Sequence, residues 1–508
     1  VTSPGKRNPA PRRLPTASFV AAAVAGAAAP ALPAAAGVLH LIGYDALEAR
    51  DANGLMARGA GVPVAQVEVP ATGTTAYAPD TSGGALAGKV FTYRTGPSGA
   101  SGHASGVASY YYGDGTSPAP AVDSVALFSA DGFIADLLRT GRSNRAPGAS
   151  GAQVINNSWI ASYAALSTNT EAVRRLDDLV NRDDVLVFNA VGNSATESFP
   201  KLLASSYNGV AVGTMSGSKG PFVFDSTMPR IKPDLVVDVG LTSYATALAS
   251  GAGALLRSEA AARDLPAGQL GVKAMLMAGA RRDATWRRGR PSGKDNQTAP
   301  LDFQQGAGQL RVDHAFDILT AGRQPAGGPI AAAAGWDQAR TGRTKRSATY
   351  LMHVDAELPQ WAAVLTWNRV IAGLQEDGAY DTAGTLADMD LSLYLSKRGG
   401  RRLVARSDSP TDNVETLTLT DLAPGDYQLV LTTDVRTTYG LAWYADPDGQ
   451  VEPMLVPAGG AGGSAGARPS ASAGGLTASA VPEPSALLGG VLATAALLSG
   501  RRRFRARS

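Results

Sequence analysis

The sequence predicts an α/β protein, a parallel sheet with helices on both faces, followed by a small all-β sandwich. Three observations predict this. From 37 to 322 short apolar runs alternate with helical patterns, as strands do when covering helices connect them. From 345 to 446 period-two alternation takes over, with Leu391, Leu393 and Leu395 in one run and Tyr427, Leu429 and Leu431 in another. Between them, 323–344 contains the Gly- and Ala-rich run 326–335 and reads as a linker.

The 508 residues, 44% hydrophobic, can bury more than one core. With no cysteine, disulfides, thiolate metal sites and a cysteine nucleophile are excluded. The net charge of +3 comes from the two ends: nine of the 46 Lys and Arg lie in 1–36 and 485–508, which hold no acid, leaving 37 bases against 43 acids between them. The middle is therefore acidic by about six charges, and a nucleic-acid partner loses its main support.

In chain order, 1–36 has a basic patch ending at Arg13, an apolar run and the small residues Ala34-Ala35-Ala36, the pattern of a secretory signal peptide; a flexible Ala/Pro-rich tail is the competing reading. Strands are predicted at 62–69, 124–128, 153–156, 185–190 and 209–214. Thr170 is read as the cap of a helix whose Val173, Leu176 and Val180 share a face. The run 241–251 reads as a tightly packed helix starting just after Ser243, where unpaired N–H groups favour negative charge developing beside the hydroxyl; a plain helix cap is the alternative.

Four motifs at strand ends or helix starts come in the order acid, histidine, asparagine, serine. Glu68 ends the first strand; His103 heads a small-residue helix; Asn193 lies just past the strand 185–190; Ser243 follows Lys232-Pro233-Asp234. With His103-Ala104-Ser105-Gly106-Val107-Ala108, Val191-Gly192-Asn193-Ser194 and Thr242-Ser243-Tyr244-Ala245, this order resembles the subtilisin-like serine proteases over roughly 45–322. The resemblance implies peptide-bond hydrolysis with Ser243 as nucleophile, His103 as its base, Glu68 in the aspartate position and Asn193 as oxyanion donor. It also assigns substrate binding to Asn157 and Ser158. Asp45 and Asp51 are the other acids weighed as the partner of His103, while His40, His314 and His353 are read as structural.

The chain departs from the family pattern in five places. Glu68 replaces aspartate, Leu241 a glycine, Ala247 a proline and Ile160 a substrate-strand glycine, and the interval from Asp234 to Thr242 is short. These departures keep open a second function, a catalytically inactive scaffold serving as an extracellular matrix or surface binding protein. About two dozen residues separate Ala36 from the first strand, too few for a folded inhibitory propeptide.

No catalytic cluster falls in 345–446, and the unit resembles the sandwich domains appended to secreted bacterial proteases. No cofactor is required; Asp388-Met389-Asp390 is a candidate for calcium, with solvated loop acids as the stronger reading. Residues 447–480 form a low-complexity linker. The end, 481–508, has Pro482-Glu483-Pro484 before an apolar run and an arginine cluster, and resembles the PEP-CTERM sorting signal with a short transmembrane segment. That resemblance implies an exosortase partner, transient membrane contact and export to the envelope, surface or matrix of a Gram-negative bacterium; an ordinary tail anchor competes.

Overall fold

The computed structural model describes residues 35–195, 202–217, 219–222, 230–289, 294–344 and 346–447. The expected leader up to residue 34, the low-complexity linker from 448 and the motif Pro482-Glu483-Pro484 lie outside the described residues.

Two short helices, α1 (Ala35–Leu41) and α2 (Tyr44–Arg50), precede β1 (Val64–Glu68). There follow β2 (Val90–Tyr93), α3 (Gly102–Tyr112), β3 (Ser124–Ser129), α4 (Ala130–Gly132), β4 (Val154–Asn157), α5 (Leu166–Asp183), β5 (Leu186–Ala190) and β6 (Val210–Gly213). A hairpin of β7 (Gly220–Phe222) and β8 (Arg230–Lys232) leads to β9 (Leu235–Val236), α6 (Thr242–Ala262), α7 (Gln269–Ala278) and α8 (Val312–Thr320).

Seven of these strands form one parallel sheet in the order β2-β3-β1-β4-β5-β6-β9. The chain passes from β1 to the edge strand β2, comes back to β3 between them, and then lays β4 on the other side of β1. Its winding direction thus reverses between β1 and β4, and the crevice beyond the carboxyl ends of such a pair is where open α/β sheets place ligands. The five strands expected from sequence all form. Missing from the reading were β2, an edge strand with most of its residues exposed, and β9, only two residues long.

Alternation along the strands separates the two faces. Val64, Val154, Phe188 and Val212 pack into one core with α3 and α6. Ala65, Val67, Ile155 and Val187 pack into another with Ala172, Leu176, Leu179 and Val180 of α5. α5 starts at Leu166, before Thr170, because the Asn169 carboxamide folds back to accept from Tyr163 N and donate to Tyr163 O; Thr170 lies inside the helix rather than capping it. In α6 the small residues have a packing reason. A Cβ on Gly251 would come 2.8 Å from the Tyr111 carbonyl oxygen of α3, and one on Gly253 2.8 Å from the Phe188 ring of β5.

The second part is antiparallel apart from one parallel pair of strands. It comprises β10 (Pro329–Ile330), β11 (Ala334–Arg340), β12 (Ser347–Val354), β13 (Leu358–Trp367), β14 (Val370–Leu374), β15 (Tyr380–Thr385), β16 (Met389–Lys397), β17 (Gly400–Ser407), β18 (Val414–Leu422), β19 (Gly425–Thr433) and β20 (Thr438–Asp446). A five-stranded sheet, β10-β12-β19-β16-β17, faces a four-stranded one, β11-β20-β13-β18. Trp361, Trp367, Leu391, Leu393, Leu429, Leu431 and Trp443 fill the space between them. The stretch 323–344, expected to be a linker, instead supplies β10 and β11, the latter an edge strand paired along its length with β20.

The sandwich shares a core with the α/β part. All ten residues of α7 are buried, and Trp336, Val364 and Ala442 from the four-stranded sheet join the same apolar cluster as α6 and α7. Gly440 of β20 lies against α7 so closely that a Cβ there would meet the Leu270 carbonyl oxygen at 2.3 Å. The β14–β15 hairpin reaches over α5, with the Tyr380 hydroxyl donating to Asp178 and the Arg175 guanidinium 4.1 Å from the Tyr380 ring centre. Arg369 pairs with the buried Asp177 across the same junction.

Candidate active site

Glu68 closes β1. In the run Val64-Ala65-Gln66-Val67-Glu68 the two-residue period turns Gln66 and Glu68 towards the face covered by α3 and α6, the face of Val64. His103 is the second residue of α3, whose start is capped by Ser101 accepting from Ala104 N. Ser243 is the second residue of α6, where backbone N–H groups have no intrahelical acceptor.

The three side chains meet. His103 Nδ1 lies 2.8 Å from Glu68 Oε2, and His103 Nε2 lies 3.0 Å from Ser243 Oγ. The Glu68 side chain is 2% exposed and that of His103 is 42% exposed, so the carboxylate is sealed off while the imidazole edge opens to solvent. Burial of the inner side of the ring pulls the His103 pKa down, but the charge and hydrogen bond of Glu68 outweigh it, and the group sits above its ordinary 6.5. With Nδ1–H donated to the carboxylate, Nε2 is the acceptor for the hydroxyl proton. The Ser158 carbonyl oxygen, 3.2 Å from Ser243 Oγ, is a second acceptor for that proton.

Asn193 stands beside the serine turn. Its Oδ1 accepts from both Thr242 N and Thr242 Oγ1, each at 2.8 Å, and two donors on the oxygen fix the amide with its NH2 end turned the other way. Asn157 and Ser158, expected to bind substrate, have buried side chains engaged inside the protein. Asn157 Nδ2 donates to Asn189 Oδ1 at 3.0 Å; Ser158 Oγ reaches the Ser243 carbonyl oxygen at 2.8 Å and Asn156 Oδ1 at 2.9 Å. Because β4 is paired with β1 and β5 through Asn157, an incoming backbone finds no free edge there, and any pairing falls to residues beyond it.

Asp45 and Asp51 are excluded as partners of His103. Asp45 lies 3.9 Å from His40, and Asp51 accepts from Leu55 N and Met56 N at the end of α2. The other histidines are engaged elsewhere: His314 Nδ1 is 3.0 Å from the Gly279 carbonyl oxygen with its ring stacked on Tyr444, and His353 is exposed between Asp426 and Asp355. Asp390 pairs with Arg406, and among the described residues no group of three or more His, Cys, Asp or Glu is placed to hold a metal ion.

Two departures from the family pattern have a physical account. Leu241, in place of a glycine, has φ −134° and ψ 136°, ordinary extended backbone, so no left-handed geometry has to be met there. Ala247, in place of a proline, sits in an unbroken α6 where a missing N–H would cost a helical hydrogen bond. Ile160 is buried.

Sequence reasoning missed the residues beneath the relay. Gln66 Nε2 donates to Glu68 Oε1 at 3.0 Å and to the Ala104 carbonyl oxygen at 2.9 Å, and the Tyr112 hydroxyl donates to Gln66 Oε1. Asn156 Nδ2 reaches Ser250 Oγ in α6 at 3.0 Å. The signal for Gln66 was present as a second polar residue on the Glu68 face of a buried strand.

Fold and site together define an α/β protein with a serine–histidine–glutamate relay at the switch point of its parallel sheet. No protein-family model matches the chain, nor does any curated protein. Among solved structures it is similar to the prenylagaramide maturation protease PagA, at 21% identity and TM-score 0.39, over 54% of this chain and 98% of that one. It is also similar to the patellamide maturation protease PatA, at 19% identity and TM-score 0.36 over 52% and 98%, and to MycP1 with its N-terminal propeptide removed, at 18% identity and TM-score 0.31 over 53% and 95%.

Proposed function

We propose that the protein is a subtilisin-like serine endopeptidase that hydrolyses peptide bonds through an acyl-enzyme. The observation that carries the proposal is the continuous hydrogen-bonded path from Glu68 through His103 to Ser243. Ser243 Oγ attacks the peptide carbonyl as His103 Nε2 takes its proton. Glu68 holds the Nδ1–H tautomer and stabilises the imidazolium that forms. The Asn193 NH2 and the Ser243 N–H, at the positive end of α6, donate to the oxyanion. His103 then protonates the leaving amine, and water attacks the acyl-enzyme by the same route in reverse. The test is hydrolysis of fluorescently labelled casein by the purified protein: activity that disappears in Ser243→Ala, with unchanged circular dichroism, is the expected result. A folded wild type without hydrolysis would favour the binding scaffold.

The sequence of the two ends supports a place of action. The protein is exported to the cell envelope, surface or matrix of a Gram-negative bacterium, crosses the membrane transiently, and is cut by an exosortase near Pro482-Glu483-Pro484. Mass spectrometry of the chain's C-terminus from an envelope fraction tests this. A terminus still carrying Arg501 to Ser508 would count against it.

A further inference from the structure

The carboxylate of a glutamate stands one methylene farther from its strand than that of an aspartate and has one more torsion to fix. In this site one oxygen of Glu68 meets His103, and the other is met by the carboxamide of Gln66, two residues back on the same strand and the same face. Gln66 is fully buried and makes three directed contacts: Nε2 to Glu68 Oε1, Nε2 to the Ala104 carbonyl oxygen at the start of α3, and Oε1 from the Tyr112 hydroxyl at the end of α3. Tyr112 is also fully buried, and burial, with the nearby Glu68 charge, raises its pKa far above the ordinary value, so it remains a donor. The Glu68 carboxylate and the Ala104 carbonyl, which can only accept, fix which end of the Gln66 amide is NH2, and the Tyr112 hydroxyl meets its oxygen. Reversed, Gln66 would set its oxygen against the Glu68 carboxylate and the Ala104 carbonyl, two contacts between acceptors.

We infer that Gln66, latched by Tyr112, is the positioning residue that lets a glutamate serve in this triad, by holding the Glu68 carboxylate against His103. The inference rests on the serine-protease reading given above. It assigns to this chain a three-part clamp of Tyr112, Gln66 and Glu68 that spans α3 from its last residue to its first turn and couples the helix carrying His103 to the strand carrying the acid.

The experiment compares Gln66→Leu, Gln66→Glu and Tyr112→Phe with the wild type by hydrolysis of labelled casein across pH, alongside the rate of fluorophosphonate labelling of Ser243. Loss of a hydrogen bond to a charged group predicts for Gln66→Leu a fall of about 10- to 100-fold in kcat with KM within about twofold. A smaller fall is expected for Tyr112→Phe. Gln66→Glu places two carboxyl groups in contact, and the pair must share one proton. While the proton is shared, the protonated oxygen donates as the amide did; when it leaves, the clamp opens, so this variant gains a new alkaline limb that the wild type lacks. A purely structural Gln66 would lower melting temperature without creating that limb. Wild-type kcat and an unchanged pH profile in Gln66→Leu and Gln66→Glu would overturn the inference while leaving the protease reading intact; should either fail to fold, an unchanged kcat in Tyr112→Phe overturns it. A wild type that neither cleaves casein nor labels overturns the protease reading first, and with it the clamp's role.

Discussion

Replacing Glu68 with glutamine keeps the shape of the relay and changes one chemical fact, the number of acceptors. In the wild type two donors converge on the carboxylate, His103 Nδ1–H at 2.8 Å and Gln66 Nε2–H at 3.0 Å, and each has its own oxygen. A glutamine at 68 offers one oxygen and one NH2. Gln66 cannot turn to accept from that NH2, because the Tyr112 hydroxyl and the Ala104 carbonyl hold its amide in place. The substituted side chain therefore gives its oxygen to Gln66 and its NH2 to His103. Nδ1 becomes an acceptor, the ring proton moves to Nε2, and the imidazole can no longer take the Ser243 proton. A wrong tautomer in a serine–histidine relay costs about 10⁴-fold in kcat. The assay is casein hydrolysis with the fluorophosphonate labelling rate as a substrate-independent check, and melting temperature as the control for folding. Activity within tenfold of wild type would refute the reasoning about acceptor count. Recovery of part of the loss in the double variant with Gln66→Leu, which frees the amide to reverse, would strengthen it.

Further outcomes follow from the same geometry. The acid limb of kcat/KM in the wild type lies above 6.5, because Glu68 raises the His103 pKa more than burial lowers it; residual activity of Glu68→Gln moves that limb down, as only burial remains, and pH profiles of both read the sign. Asn193→Ala lowers kcat by about 10²- to 10³-fold with little change in KM, measured by steady-state kinetics; loss confined to KM would remove Asn193 from the oxyanion role. Arg369→Met removes the charged partner of the fully buried Asp177 carboxylate, leaving it to the backbone donors of Tyr207 and Asn208, and destabilises by about 3–5 kcal/mol, seen in denaturant titration as a lower midpoint for one cooperative transition. Gly440→Ala overpacks the contact with Leu270 at a cost of about 1–3 kcal/mol, and an unchanged midpoint would deny the close approach of β20 and α7.

Much of the α/β part was legible in the sequence because a parallel sheet buried on both faces writes itself as continuous apolar runs, as in Val154-Ile155 and Leu186-Val187-Phe188. The relay was legible for a related reason: chemistry-bearing residues at the ends of such runs, Glu68 closing β1 and Asn193 just past β5, fall by construction at one edge of the sheet. What supports the relay was not. Tyr112 meets Gln66 only because α3 lies across β1, a contact over 46 positions that no local pattern encodes. The same holds for β11, whose Gly- and Ala-rich approach reads as a linker until β20, more than a hundred residues on, pairs with it. Nor does α7 announce that its outer face is covered, since a mostly apolar helix shows that it must bury that face against something, not against what.

Whether Ser243 is a nucleophile activated by His103 is read from where a covalent adduct forms. The full chain is treated with a fluorophosphonate, digested and sequenced by mass spectrometry. One adduct is expected, on the peptide carrying Ser243, absent from Ser243→Ala and strongly slowed in His103→Ala. A folded wild type that takes up no label, or takes it up at another residue, would contradict it.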